Sequence, residues 1–276
     1  EGLARVREVR VRAPVGAPSD AIRVGVLGGI RVAFLSRHGR GHRLSPSSIN
    51  YRANIYALKS LGVTQVISVS AVGSMKESIR PGDVVLPDQF IDLTNRRVSA
   101  FVVVGILAHV GFGGPVCSSV ADVLEQAGRA VGARLQRGGT YVCMEGPQFS
   151  TKAESRLYRQ WGVDVIGMTN MPEAKLAREA ELCYATVALA ADYDCWHDTE
   201  EAVTVEAILA TQHKNVALAK QLLKAALPKL APDLTCVCHQ ALRTAIVTAP
   251  DCISATAKRR LNLLIAPSVR TRKGKR

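Results

Sequence analysis

Cys183-Tyr184-Ala185-Thr186-Val187-Ala188-Leu189-Ala190-Ala191-Asp192-Tyr193-Asp194 runs from an apolar segment into a pair of carboxylates. Up to Ala191 it is apolar except for Thr186, without the polar alternation of a half-exposed strand. That is the pattern of a strand buried on both faces, in a sheet covered by helices on either side. Two carboxylates end the run. Asp192 and Asp194 are alternate residues, so an extended backbone would face them the same way. The carboxyl ends of strands are where open α/β sheets bind their ligands.

On either side, apolar strand-like runs alternate with helical patterns. Residues 22–27 and 32–36 read as strands joined by a turn at Gly28-Gly29. Residues 46–61 read as a helix, with Pro46 near its start and Gly62 beyond its end. Strands are expected over 66–71, 82–86, 141–144, 163–168 and 183–191. Helices are expected over 120–135, 151–161, 172–180, 203–227 and 236–246. The alternation implies an α/β class with one domain and a largely buried sheet. Residues 98–115 are apolar and Gly-rich without clean periodicity, which points to a flexible loop or a lid.

The 276 residues carry a net charge of +13, which invites a nucleic-acid reading. The charge is unevenly placed. Residues 257–276 hold eight basic side chains and no acid, residues 1–12 contribute +2, and the rest of the chain only +3. Such an end reads as a solvated basic tail, so nucleic acid is not the expected partner. Apolar residues at 47% and charged residues at 21% exclude a largely disordered chain. No apolar run reaches the ~18 residues a membrane helix needs. No signal segment follows Glu1, so a cytoplasmic setting is expected.

Seven cysteines, an odd number scattered through apolar segments, argue against a secreted disulfide framework. Cys236-Val237-Cys238-His239 is the one tight cluster. Zinc sites space paired cysteines by two to four residues and need a second pair, which the sequence does not show, so no metal is expected. A local Cys236–Cys238 disulfide stays open.

Polar groups follow four of the expected strands. Arg37-His38-Gly39-Arg40-Gly41-His42 is either a phosphate-binding turn or a basic surface turn. Ser70-Ala71 and Thr169 offer the hydroxyl and amide donors an anion needs, and Gly73 could be a plain turn residue. Asp192 and Asp194 are a candidate acid pair, in which one carboxyl stays protonated, or a capping pair before a helix. A divalent metal on them lacks a third ligand. Gly25, Gly28 and Gly29 do not form GxGxxG, and neither a phosphate-loop GxxxxGK[ST] nor a GxSxG elbow is present.

These clusters, in this order, resemble those of the 5′-methylthioadenosine phosphorylases, within the purine nucleoside phosphorylase superfamily. The resemblance runs from about residue 14 to 227, and more weakly to 250. It is carried by Pro18-Ser19-Asp20, Ser36-Arg37-His38-Gly39-Arg40, Asn50-Tyr51-Arg52-Ala53-Asn54 and Gly82-Asp83 with Asp88-Gln89-Phe90-Ile91-Asp92. Further on come Glu145-Gly146-Pro147-Gln148-Phe149-Ser150, Gly167-Met168-Thr169-Asn170-Met171-Pro172-Glu173 and Asp192-Tyr193-Asp194-Cys195-Trp196. The resemblance implies a single domain over 1–250 with a central mixed sheet flanked by helices, followed by the basic tail 251–276. It implies a pentosyltransferase of purine and methionine salvage, acting on methylthioadenosine and phosphate without metal or organic cofactor, and a homotrimer. Arg37, His38, Ser70, Ala71 and Thr169 would bind phosphate. Met168 would lie against the ribose, and Asp192 and Asp194 against the purine N7 and 6-amino edge. Phe149 and Ser150 would line the base pocket, with Val205 and Leu209 around the methylthio group. Phosphorylases of other purine nucleosides, or a weakened purine-binding homologue, are the alternatives. The family opens with a strand and a Gly-Gly-Thr/Ser-Gly phosphate loop that this sequence does not show, so weakened phosphorolysis is expected. Residues 98–105 and 111–115 also depart from the family pattern.

Overall fold

The computed structural model describes residues 2–102, 105–197, 205–230 and 234–272, with backbone alone for 205–210, 267 and 269–272. Strands β1 (Ala4–Val9), β2 (Ile22–Leu27) and β3 (Ile30–Phe34) form a three-stranded antiparallel sheet. Gly28 and Gly29 make the β2–β3 turn with φ of +57° and +82°, the left-handed pair that a two-residue hairpin demands. Pro46–Ser48 is a separate 3₁₀ turn, and α1 (Tyr51–Ser60) starts anew because the Asn50 side chain caps the Ala53 amide.

The principal sheet has seven strands: β4 (Gln65–Ser74), β5 (Val84–Leu86), β6 (Gln89–Asp92), β7 (Leu135–Arg137), β8 (Thr140–Cys143), β9 (Val165–Gly167) and β10 (Cys183–Asp192). Their order is β6-β8-β9-β4-β10-β5-β7. β4 and β10 lie parallel at its centre, in register from Cys183 with Gln65 to Ala190 with Val72. β9 runs antiparallel to β4 and β5 antiparallel to β10, so the sheet is mixed, as expected. The register slips at the far end, where Asp192 pairs with Gly73.

Helices α2 (Ser118–Ala130), α3 (Lys152–Gln160), α4 (Asn170–Glu179), α5 (Val205–Ala226), α6 (Ala255–Arg260) and α7 (Asn262–Arg272) complete the fold. α3 opens on a capping box between Thr151 and Glu154. β10 is buried on both faces. Tyr184, Ala188 and Ala190 pack with Ile55, Leu176 and Leu264, while Val187 and Leu189 pack with Leu124 and Leu222.

The structure corrects several expectations. Residues 236–246 are not a helix. They hold a short 3₁₀ turn, Val237–Gln240, and further turns. The basic end is not a solvated tail throughout, because Ala257, Leu261, Leu264 and Ile265 of α6, α7 and their junction enter the core. The described residues of 98–115, expected as a flexible loop or a lid, contribute to the core instead. Phe101, Val102 and Ile106 are buried in the core, and Ala108 bridges to Ile246. The seven cysteines are free thiols, and the fold brings Cys117 and Cys183 to Cys236 and Cys238, the second pair that the spacing along the chain lacks.

Candidate active site

The two central strands deliver polar groups to one place. A cavity of about 650 Å³ opens where β4 and β10 end, within the size range of small-molecule sites. Its floor is Ser70 to Gly73 beside Asp192. Gly73 is a strand residue rather than a turn. A Cβ there would come within 3.0 Å of Asp192 Oδ1 and of Ile166 Cγ2, so only glycine admits the carboxylate this closely.

One wall is rich in donors. Arg37 follows β3 and is largely enclosed. Its Nε and Nη2 donate to the two Glu173 oxygens at 2.7 and 2.9 Å, and Nη2 also donates to Ser68 Oγ. The guanidinium fork that the sequence suggested for an anion is therefore occupied by Glu173, while Nη1 makes one long bond to Val69 O and Arg37 lines the cavity. Burial alone would lower the Arg37 pKa, but the Glu173 carboxylate outweighs it and raises it, so the cation is permanent. The His38 ring stacks on His42 and its Nδ1 lies 2.9 Å from Leu44 O. Burial holds the His38 pKa below its ordinary value. Ser70 Oγ donates to Asn170 Oδ1 and sits 3.5 Å from Thr169 Oγ1; Thr169 is the N-cap residue of α4, with no capping bond from its hydroxyl.

The other wall is acidic. Asp192 Oδ1 accepts the Asp194 amide, and Ser155 Oγ donates to Asp194 Oδ2 at 2.6 Å. The two acids do not face alike through an extended backbone as alternation suggested. Asp194 has φ +54° at the start of a 3₁₀ turn, and that turn is what returns its carboxyl to the cavity. Burial raises the Asp194 pKa, against the lowering effect of Ser155.

Arg37, His38, Ser70, Ala71, Phe149, Met168, Thr169, Asp192 and Asp194 thus share one cavity. Ser150 is buried behind Phe149, with its hydroxyl on Met144 Sδ. The side chains of Val205 and Leu209 lie outside the described residues. Sequence reasoning missed Gln212, which lines the cavity from α5, and Arg97. Arg97 is enclosed and donates to the carbonyls of Met168, Met171 and Glu145, holding together two loops that line the site. A buried arginine among carbonyls carries no local sequence signature. Glu173 lay within a quoted motif without an assigned role.

A seven-stranded mixed sheet thus brings these donors and acids into one cavity at the ends of its central strands. A family model describing the phosphorylase superfamily matches residues 1–228, and the chain belongs to that superfamily. The S-methyl-5′-thioadenosine phosphorylase of Geobacter sulfurreducens is 56% identical over 270 residues, covering 98% of this chain and 94% of its own length. That of Koribacter versatilis is 57% identical over 264 residues, covering 96% and 90%. The crystal structure of a methylthioadenosine phosphorylase from an antarctic soil metagenomic library matches with a TM-score of 0.91 at 51% identity, over 96% of this chain and 93% of that one. A variant adenosine/methylthioadenosine phosphorylase from Schistosoma mansoni, solved with adenine, matches with a TM-score of 0.82 at 32% identity, over 88% and 92%.

Proposed function

We infer that the chain catalyses phosphorolysis of S-methyl-5′-thioadenosine to adenine and 5-methylthioribose 1-phosphate. The observation that carries this is that the Arg37, Ser70 and Thr169 donors and the Asp192 and Asp194 acids line one cavity. Phosphate held by Arg37 Nη1, His38, Ser70, Thr169 and the Ala71 backbone is placed to attack C1′. The C1′–N9 bond breaks as the C1′–O bond forms. Positive charge builds on the sugar, and the bound anion stabilises it. The electron pair leaves on the purine, and Asp192 delivers a proton to N7, a general-acid role worth ~10²–10⁴-fold. Asp194 faces the 6-amino edge, Met168 the ribose, and Phe149 and Ser150 the base pocket, with Val205 and Leu209 around the methylthio group.

The acid pair supports adenine over a 6-oxopurine, because a carboxylate acceptor suits an amino donor and opposes a carbonyl. In this reading phosphate is a co-substrate, and no metal or organic cofactor enters the chemistry. None of the described helices is long and apolar enough to cross a membrane. A cytoplasmic homotrimer completes the reading. It is supported by Phe149, an aromatic side chain 80% exposed at the cavity, which a neighbouring subunit would cover. Competition between methylthioadenosine and inosine, followed by separating the released bases, tests the substrate choice. Adenine release should dominate by about 10²-fold or more, and equal hypoxanthine release would overturn the choice.

A further inference from the structure

Far from the cavity, four thiols converge. Cys117 is the N-cap residue of α2, Cys183 opens β10, and Cys236 and Cys238 flank Val237 on the loop of the short 3₁₀ turn. Their four Sγ atoms lie within 4.8 Å of one another, with Cys117 and Cys236 at 3.9 Å. A metal–sulfur bond of about 2.3 Å in tetrahedral geometry sets the sulfur–sulfur edge at about 3.8 Å. The cluster therefore has the dimensions of one ion held by four thiolates and is too tight for a cluster of several irons.

The surroundings suit thiolates. Cys117 faces the amide-rich N-terminus of a 13-residue helix, which favours a negative sulfur. Lys229 lines the small cavity beside Cys117, Cys183 and Cys236, bringing a cation to a site whose four thiolates exceed the charge of a divalent ion. His239 spans Glu181 O through Nδ1 at 2.8 Å and Cys183 Sγ through Nε2 at 3.6 Å, the outer contact that orients a ligating sulfur. Chain spacing hid this arrangement, because Cys117 and Cys183 reach the Cys236 loop only through the fold.

We propose that Cys117, Cys183, Cys236 and Cys238 form a closed tetrahedral site for one zinc ion. Four protein sulfurs leave no open position, so the ion is structural. It ties the loop after α5 to the start of α2 and to the first residue of the central strand. The length of β10, about 30 Å at 3.3 Å per residue, separates it from Asp192 at the other end. Zinc binding displaces the thiol protons to solvent, and no oxidant or reductant is needed.

The test uses the full chain, purified in reducing buffer, incubated with zinc and desalted. Elemental analysis should find one zinc per chain. Cobalt added to the metal-free chain should give the intense visible bands of a tetrahedral cobalt–thiolate centre. Cys236→Ser with Cys238→Ser should abolish both signals, whereas Cys252→Ser, at an exposed cysteine outside the cluster, should leave them intact. Should the double variant not fold, the cobalt spectrum of the unaltered chain decides. A chain that retains no zinc, whether its four thiols titrate free or are paired in disulfides, overturns the proposal. So does metal retention unaffected by the double substitution.

Discussion

Asp192 Oδ1 accepts the backbone N–H of Asp194 at 2.9 Å. That bond makes Asp192 Oδ1 an acceptor. It also ties the end of β10 to the turn that carries the second acid. Gly73 of the neighbouring strand makes room for both, its missing Cβ lying 3.0 Å from Asp192 Oδ1 and 3.3 Å from Asp194 Cβ.

Asp192→Asn keeps the shape of the side chain and removes the transferable proton. It should lower kcat/KM for adenine release by ~10²–10⁴-fold, with little change in thermal stability. Steady-state kinetics beside a melting curve measures both. Activity near that of the unaltered chain would remove Asp192 from the acid role.

The pH dependence follows from burial of Asp194, which raises its pKa, while the Ser155 hydroxyl lowers it. A raised pKa means that Asp194 keeps its proton to higher pH than an exposed aspartate would. The carboxylate acceptor proposed for the 6-amino edge forms above that pKa, so activity should rise as pH rises through it. Ser155→Ala removes the bond that favours the charged form, so the acidic limb of kcat/KM should move to higher pH. A shift to lower pH would contradict the assignment.

Glu173 accepts two bonds from Arg37 and a third from the Tyr184 hydroxyl, and both ionic partners are largely enclosed. Glu173→Gln leaves the guanidinium without its countercharge, which should cost about 3–5 kcal/mol in denaturant unfolding. The KM for phosphate should change with it, since Arg37 is no longer held in place. Unchanged stability and unchanged KM would show that the pair positions nothing.

Arg97→Lys keeps the charge but cannot span the Met168, Met171 and Glu145 carbonyls that the guanidinium bridges. Leaving such buried acceptors unpaired should destabilise the chain by about 3 kcal/mol. The KM for methylthioadenosine should rise, because both loops line the cavity. Urea titration and initial rates check the two effects separately.

The legible parts of the chain are those whose physics is local. β10 and β4 are apolar runs that need no partner to be recognised, and strand-end groups such as Ser70, Thr169 and Asp192 sit where the strands deliver them. β1 escaped because Arg5, Arg7 and Glu8 break up its apolar residues on an exposed strand. β6 escaped because it is four residues long. In α6 and α7 the basic residues masked Ala257, Leu261, Leu264 and Ile265, which are core. The Arg37–Glu173 pair is 136 residues apart and the Cys117–Cys236 contact 119, and no pattern along the chain signals either. Gly73 reads as a turn until the slipped register places Asp192 against it.

The most direct test of the central claim is adenine release from methylthioadenosine by the purified chain, measured with and without inorganic phosphate. Release should depend on phosphate, with one methylthioribose 1-phosphate formed for each adenine. Equal release in the absence of phosphate, or none at all in its presence, would contradict it.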